Sequence, residues 1–170
     1  KIFNDAPQGF SGIAFNTRKP PYDDIRVRRA LTLLINRPLL IEKLFFNEYV
    51  PLNSHYTGTI YENPNNPKNP YDPQAALKLL AEAGWSARDS QGRLVRNGQP
   101  LVVELLYASK SSEPFLTVYQ DDLRKVGIGL NLRLANPETA WKLEMERRFD
   151  AMSTGWGALV FPNPETSFHS

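Results

Sequence analysis

The order strand, helix, strand between residues 101 and 134 is the feature that most constrains this fold. Residues 101–108 are apolar at most positions on both faces of an extended chain, which indicates a strand covered on both sides. Residues 115–126 repeat apolar side chains at helical spacing and stop at Gly127, after which residues 128–134 alternate again. With the elements described below, this order predicts an α/β fold in which a mixed β-sheet is flanked by helices.

The other helices are predicted from the residues at their starts. An aspartate or asparagine there can accept a hydrogen bond from the first turn, and proline suits the first helical position. The predicted starts are Asp23-Asp24, the residues directly after Asn36-Arg37-Pro38, Asp72-Pro73, and Asn136-Pro137-Glu138. Gly84 is predicted to end the third of these helices, and Trp141 and Met145 lie on the last one.

Short extended segments and turns complete the pattern. Residues 12–16 and 150–154 are predicted strands, and turns at 90–92 and 96–98 indicate a small hairpin. Residues 50–70 are rich in proline and asparagine, which predicts a long surface connection. The chain starts without methionine and stops without a closing element, so we expect a single domain over residues 1–170 that is a piece of a longer protein.

The charge balance, the apolar runs and the lack of cysteine weigh against several classes of function. The 20 basic and 18 acidic residues nearly cancel, whereas a nucleic-acid-binding protein more often carries a concentrated basic surface. The best basic candidates are Arg26, Arg28, Arg29 and Arg37, whose spacing is typical of the solvated face of a helix. No apolar run is long enough to cross a bilayer, and the absence of cysteine excludes disulfides and thiolate chemistry.

No motif for catalysis, a cofactor or a metal stands out. His55 and His169 are the only histidines, and neither lies in a metal or nucleophile motif. Gly127-Ile128-Gly129 lacks the third glycine of a dinucleotide fingerprint and opens a strand. Clustered acids such as Glu144 and Asp150 leave a carboxylate-dependent hydrolase open as an alternative, although acids on an exposed helix are usually solvated. We expect no enzyme activity, no catalytic residue and no cofactor.

Residues 149–157 have the composition of a binding surface. A short apolar run begins with Asp150 and ends in glycines on both sides of Trp156. This pattern predicts a buried strand that delivers an aromatic ring to a tight loop at the edge of the sheet, where ligands often bind in α/β proteins. From spacing alone, Trp156 could equally fill the core beneath a turn.

Five blocks in a fixed order resemble the family 5 extracellular solute-binding proteins, the peptide-binding receptors of ABC importers, and look closest to their YejA-like oligopeptide branch. The resemblance spans nearly the whole chain. The blocks are Ala14-Phe15-Asn16-Thr17, residues 21–31, Tyr71-Asp72-Pro73 with residues 79–85, residues 123–128, and Phe149-Asp150 with Gly155-Trp156-Gly157.

The resemblance implies lobe II of a periplasmic-binding-protein (type II, Venus-flytrap) fold, whose missing first lobe closes on the ligand like a hinge. It further implies a substrate-binding component that takes a peptide or related small solute in an interlobe cleft, for delivery to an ABC permease. The expected location is the periplasm or the extracellular face of the membrane, without nucleic acid as a partner.

The resemblance also points to two ligand-contacting segments, one after the final strand and one after the long strand. The implied ligand-binding residues are Tyr107, Ser109, Ser111, Ser112, Gly155, Trp156, Gly157 and Ala158. For the serines and Tyr107, a polar loop that caps the next helix is the competing interpretation. Many oligopeptide receptors have an aspartate three residues after the tryptophan to hold the peptide amino terminus, and here Leu159 occupies that place, with Asn163 a weak substitute.

The alternatives from other classes are a hydrolase domain that uses Glu144 and Asp150, and a nucleic-acid-binding domain that uses the helix with Arg26, Arg28 and Arg29. Two carboxyl groups a few ångströms apart in one pocket would favour the first. A steep fall of affinity with salt would favour the second.

Overall fold

The computed structural model describes residues 9–54, 57 and 60–157. Helices and strands alternate along most of this range, as the sequence predicts. The helices are α1 (Ile25–Leu33), α2 (Arg37–Lys43), α3 (Pro73–Glu82), α4 (Glu113–Lys125) and α5 (Pro137–Met145). The strands are β1 (Phe10–Phe15), β2 (Ala87–Arg88), β3 (Leu94–Arg96), β4 (Gln99–Pro100), β5 (Val102–Tyr107), β6 (Gly129–Leu134) and β7 (Ala151–Trp156).

The main sheet has four strands in the order β1, β7, β5, β6. β5 runs parallel to both β6 and β7, while β1 pairs antiparallel with β7. The predicted mixed sheet is therefore confirmed. The predicted hairpin near residue 94 is present as well, within a separate small sheet of β2, β3 and β4.

Helices cover both faces of the main sheet, because apolar residues alternate between its faces along β5. Leu105 joins the larger core cluster, to which α1, α3 and α4 contribute, and Leu106 joins a smaller cluster with Ala140 of α5 and Met152 of β7. The larger cluster is tied together by Tyr119 of α4, whose buried hydroxyl donates a hydrogen bond to the backbone oxygen of Leu31 at 3.0 Å. β5 is covered on both sides, as its composition predicts.

Three of the four predicted helix starts are confirmed by side-chain caps, whereas α2 begins at Arg37 and not after Pro38, because proline is accommodated in the first turn of a helix. Asp24 accepts a hydrogen bond from the amide of Arg26, Asp72 from that of Ala75, and Asn136 from that of Thr139. Asn36 caps α2 in the same way, through the amide of Leu39. α4 ends as predicted before Gly127, which has a φ of 87° and a Cβ position only 2.5 Å from the backbone oxygen of Gly92, so only glycine fits there.

Both strands of the β1/β7 pair differ from the predicted bounds. β1 begins at Phe10, two residues before the predicted start, and β7 reaches Trp156, two residues beyond the predicted end. Both strands are longer than predicted because their additional residues pair with each other, Phe10 opposite Trp156 and Ser11 opposite Gly155.

The predicted long connection has no helix or strand among its described residues between 44 and 72. It exposes several large apolar side chains, including those of Phe46, Tyr49 and Ile60. The end of this connection is held next to α1, because the amide of Asp72 donates a hydrogen bond to the backbone oxygen of Leu33 at 2.9 Å. In the described part of the chain, no helix has the length and apolar character needed to cross a membrane.

Candidate functional site

The two predicted ligand-contacting segments lie at one edge of the main sheet. β5 and β7 are parallel neighbours, so the residues that follow both strands lie at the same carboxyl-terminal edge. In open α/β sheets this edge is the usual place for a ligand. The fold thus brings the segment after Tyr107 to the same side of the molecule as Gly155, Trp156 and Gly157.

At this edge, β1 and β7 extend beyond the rest of the sheet as a two-stranded ribbon. Leu106 of β5 pairs with Met152, and β5 ends one residue later, whereas β7 continues for four residues to Trp156. At roughly 3.3 Å per residue, the ribbon projects about 10 Å past the end of β5. The prediction of a tight loop was wrong for Gly155 and Trp156, since both are paired strand residues. Gly157 follows the strand and is exposed.

The Trp156 indole lies at the tip of this ribbon, against Phe10 of the neighbouring strand. The two rings are stacked, with centroids 5.1 Å apart and planes 18° apart. The residue is 36% exposed, which argues against the alternative that it fills the core. One aromatic ring is therefore presented at the sheet edge and supported from one side by another.

The segment after β5 is held by a hydrogen bond between Tyr107 and Glu113. The Tyr107 side chain is buried, and its hydroxyl donates to the Glu113 carboxylate at 2.5 Å. This hydrogen bond, with smaller contributions from burial and from the Glu113 charge, raises the pKa of Tyr107 above its ordinary value. Tyr107 thus fixes the start of α4, while its hydroxyl is already engaged.

The serines of this segment do not cap the next helix with their side chains. Ser112 is the residue before α4, yet its side chain makes no capping hydrogen bond, and the same holds for Ser109 before the short 3-10 turn Lys110–Ser112. Ser109 and Ser111 instead share a hydrogen bond between their hydroxyls at 2.7 Å. The competing interpretation of these serines as caps is therefore wrong, and their hydroxyls lie on an exposed or half-buried surface.

The acidic residues that suggested a hydrolase are not paired with each other. Asp150 forms an ion pair with Lys19, with Nζ and Oδ1 2.8 Å apart. Glu144 lines an open cleft of about 260 Å3 together with Arg18 and Arg147, and no other described residue that lines this cleft carries a carboxylate. The arrangement that would favour carboxylate catalysis is thus missing at these two residues. Within the described ranges, no group of three or more His, Asp or Glu side chains could hold a metal ion.

Two of the three arginines that suggested nucleic-acid binding form hydrogen bonds or ion pairs within the chain. Arg26 forms an ion pair with Asp24 at 2.6 Å and donates to the backbone oxygen of Glu82 at the end of α3. Arg28 donates to the backbone oxygens of Tyr22 and Asp23. Their guanidinium groups stabilise turns and helix ends, as arginines near such carbonyls commonly do.

Several residues named from the sequence lie outside the described residues. These are Ala158, Leu159, Asn163, His55 and His169. Other residues of the edge were missed by the sequence reasoning, namely Phe10, Gly12 and Glu113. Phe10 could be recognised as the partner of Trp156 only from the β1/β7 register, which the sequence does not specify.

The same arrangement of strands and helices occurs in solved binding proteins. NikA from Brucella suis in complex with Fe(III)-EDTA superposes with a TM-score of 0.82 at 28% identity, over 92% of this chain and 32% of that one. The oligopeptide-binding protein AppA from Bacillus subtilis, in complex with a nonapeptide, gives 0.81 at 26% identity, over 96% of this chain and 34% of that one. The fold is therefore that of type II periplasmic binding proteins, as the sequence resemblance implied.

The chain belongs to the bacterial extracellular solute-binding proteins, family 5. The family model, described as "Bacterial extracellular solute-binding proteins, family 5 Middle", matches residues 1–170. YejA of Escherichia coli K12 is 27% identical over 195 residues, which covers 95% of this chain and 32% of YejA. The chain spans about a third of the length of the curated relatives that it matches.

Proposed function

We propose that this chain is one lobe of the substrate-binding component of an ABC importer, and that it binds peptides or related small solutes against a first lobe elsewhere in the full-length protein. The proposed location is the periplasm or the extracellular face of the membrane, where an ABC permease receives the ligand. Residues 1–170 form a single domain of that protein. Nucleic acid is not a partner, and the protein has no chemistry of its own.

The observation that carries this proposal is the aromatic ring of Trp156, more than a third exposed at the carboxyl-terminal edge of a sheet whose fold is that of binding proteins. Membership of the solute-binding family supplies the class of function. The AppA complex with a nonapeptide supports peptides as the ligand class.

The neighbouring ends of β1 and β7 support a second lobe on this side of the sheet. β1 begins and β7 ends side by side at the tip of the ribbon, with Phe10 opposite Trp156. A partner lobe connected at both points would therefore face the same edge that carries the exposed indole. Paired strands at such a junction can bend while their hydrogen bonds persist, which suits closure around a ligand.

The test is Trp156→Ala in the full-length protein, with peptide affinity and the free energy of unfolding measured on the same preparation. We expect Kd for a bound peptide to rise by about tenfold or more, because an aromatic contact in a closed cleft contributes on the order of 1–2 kcal/mol or more. Stability should change less, since the indole is partly exposed.

Trp141→Ala is the matched control. Trp141 is 64% exposed on α5, so this substitution removes the same side chain from another part of the surface. Peptide affinity should stay within about twofold of the parent. Equal losses of affinity in both variants, or a large loss of stability with unchanged affinity for Trp156→Ala, would reject Trp156 as a ligand contact.

A further inference from the structure

We propose that the cleft lined by Arg18, Arg147 and Glu144 is a second binding site, which takes an acidic amino acid such as glutamate. This site goes beyond the proposed function, because it lies away from the edge where that function places the peptide. Phe15, which also lines the cleft, ends β1 beside the first residue of β7, whereas Trp156 is the last residue of β7. At roughly 3.3 Å per residue, the two ends of β7 are about 17 Å apart.

The backbone around the two arginines is held by one buried side chain, that of Asn16. Its amide nitrogen donates to the backbone oxygen of Arg147 at 3.0 Å, and its amide oxygen accepts from the backbone amide of Arg18 at 3.2 Å. Arg147 has a φ of 55°, which residues other than glycine adopt only where their surroundings hold them. Both guanidinium groups therefore extend into one cleft from fixed points of the backbone.

The described lining residues of the cleft carry two positive charges and one negative charge. None of these three side chains forms an ion pair with another described residue, although the charges beside them do, since Lys19 pairs with Asp150 and Arg148 with Glu146. A ligand with two carboxylates and one ammonium group matches this pattern group by group. Such a ligand carries one net negative charge at neutral pH, which balances the one net positive charge of the three side chains.

Glutamate fits the chemistry of each lining group. A guanidinium group binds a carboxylate through paired hydrogen bonds. Glu144 would attract the ammonium group of the ligand and repel a further anion, so the cleft disfavours phosphate and simple dicarboxylates. The rings of Phe15 and Phe149 line the same cleft and offer apolar surface to the methylene groups between the charges.

The volume and the walls of the cleft suit a ligand of this size. Its volume of about 260 Å3 corresponds to about nine water molecules at roughly 30 Å3 each, which is enough for the roughly ten non-hydrogen atoms of glutamate. Phe15 stacks on Tyr22 with ring centroids 5.5 Å apart, and Phe149 packs against the smaller core cluster. Both apolar walls are thus supported by the core, so binding needs little ordering of the protein.

The test is calorimetric titration of the full-length protein with L-glutamate, in a buffer that contains neither carboxylate nor phosphate. The comparison ligands are glutarate, which lacks the ammonium group, and L-glutamine, which lacks one carboxylate charge. We expect Kd to be about tenfold higher or more for each of them, because each loses one charge-assisted interaction with the cleft.

Arg18→Gln and Arg147→Gln should each raise Kd for glutamate by about tenfold. The bonds of Asn16 go to the backbone of these residues, so the unfolding midpoint should not change. Arg29→Gln is the matched control, because Arg29 is exposed on α1 and is not a lining residue of the cleft. It should keep Kd within about twofold.

Glu144→Gln adds a readout that a purely structural role would not move. The change removes the partner of the ammonium group and also the repulsion of a further anion. It should therefore raise Kd for glutamate and lower Kd for glutarate, so that the roughly tenfold preference for glutamate disappears.

Three results would overturn this site. The first is the absence of binding at millimolar glutamate, which would also follow if another part of the full-length protein filled the cleft. The second is equal affinity of the parent for glutarate and glutamate, which indicates a general anion site. The third is loss of glutamate binding in Trp156→Ala, which would move the amino acid to the ribbon.

Peptide binding measured on the same preparation separates this site from the proposed function. If peptides bind and glutamate does not, the second site fails and the proposed function stands. If glutamate binds in the cleft and no peptide binds, the proposed function fails and the second site stands.

Discussion

The side-chain amide of Asn16 donates a hydrogen bond to the backbone oxygen of Arg147 at 3.0 Å and thereby joins the end of β1 to the turn before β7. The same nitrogen donates to the backbone oxygen of Phe149, also at 3.0 Å. Asn16 is only 7% exposed, and its side-chain oxygen accepts from the amide of Arg18. One buried amide therefore holds two segments that are 131 residues apart, at the end of the β1/β7 pair opposite the projecting ribbon.

Asn16→Asp should destabilise the fold strongly at neutral pH. A carboxylate cannot donate, so it would face two backbone oxygens with a buried and unpaired charge, which costs about 2–4 kcal/mol. The measurement is chemical unfolding at pH 7. Asn97→Asp is the matched control, because Asn97 is exposed in a turn with φ of 53°, where aspartate is tolerated. Equal midpoints for Asn16→Asp and the parent would show that these hydrogen bonds do not hold the β1/β7 pair.

Asp24 should make the stability of α1 depend on pH in the acidic range. Two hydrogen bonds lower the pKa of Asp24 to about 2 in the folded state. The larger effect comes from the Arg26 side chain and the smaller one from the Arg26 amide. Because the folded pKa lies below the unfolded one, the stabilisation is present above about pH 4 and is lost as pH falls toward 2.

Asp24→Asn keeps a capping side chain and removes the charge. We expect the parent to be more stable than this variant by about 0.5–1 kcal/mol at pH 7, since the pair is partly exposed. The difference should vanish near pH 2 and shrink in high salt. A difference that stays constant from pH 7 to pH 2 would contradict the assignment.

Tyr107→Phe should affect the segment after β5 more through stability than through ligand contact. The change removes the hydrogen bond to Glu113 and leaves the buried ring, so we expect a loss of about 1 kcal/mol in unfolding free energy. Peptide affinity of the full-length protein should fall by less than about threefold.

Tyr49→Phe is the control for Tyr107→Phe, because Tyr49 is 61% exposed and keeps its ring contact with Phe45 after the change. It should leave stability unchanged. An affinity loss of tenfold or more for Tyr107→Phe at unchanged stability would instead assign its hydroxyl to the ligand.

Local signals allowed the helices to be predicted from the sequence. The hydrogen bond from Ala75 to Asp72 and the stop at Gly127 involve residues close together in the chain, so residue type alone determines them. The mixed sheet was also predicted, and its parallel pair β5/β6 is joined by the crossover helix α4.

The structure of the sheet edge around Gly155 and Trp156 could not be predicted, because it depends on pairing between distant strands. Glycine is disfavoured in strands, so Gly155 predicted a loop, yet its pairing with Ser11 keeps it in β7. That pairing joins residues separated by most of the chain, and no local pattern specifies it. The aromatic contact of Phe10 with Trp156 depends on the same register and was missed for the same reason.

The isolated chain should fold but bind peptides far more weakly than the full-length protein. Its larger core cluster joins α1, α3 and α4 to the sheet with many fully buried side chains, so thermal unfolding should be cooperative. The proposed binding edge, however, leaves Trp156 partly exposed and Ser109 and Ser111 exposed to water. A ligand held on one side only loses much of the burial and many of the hydrogen bonds of a closed cleft, so we expect Kd at least about 100-fold higher by calorimetry. A cooperative melt together with an affinity equal to that of the full-length protein would show that the ligand needs no second lobe.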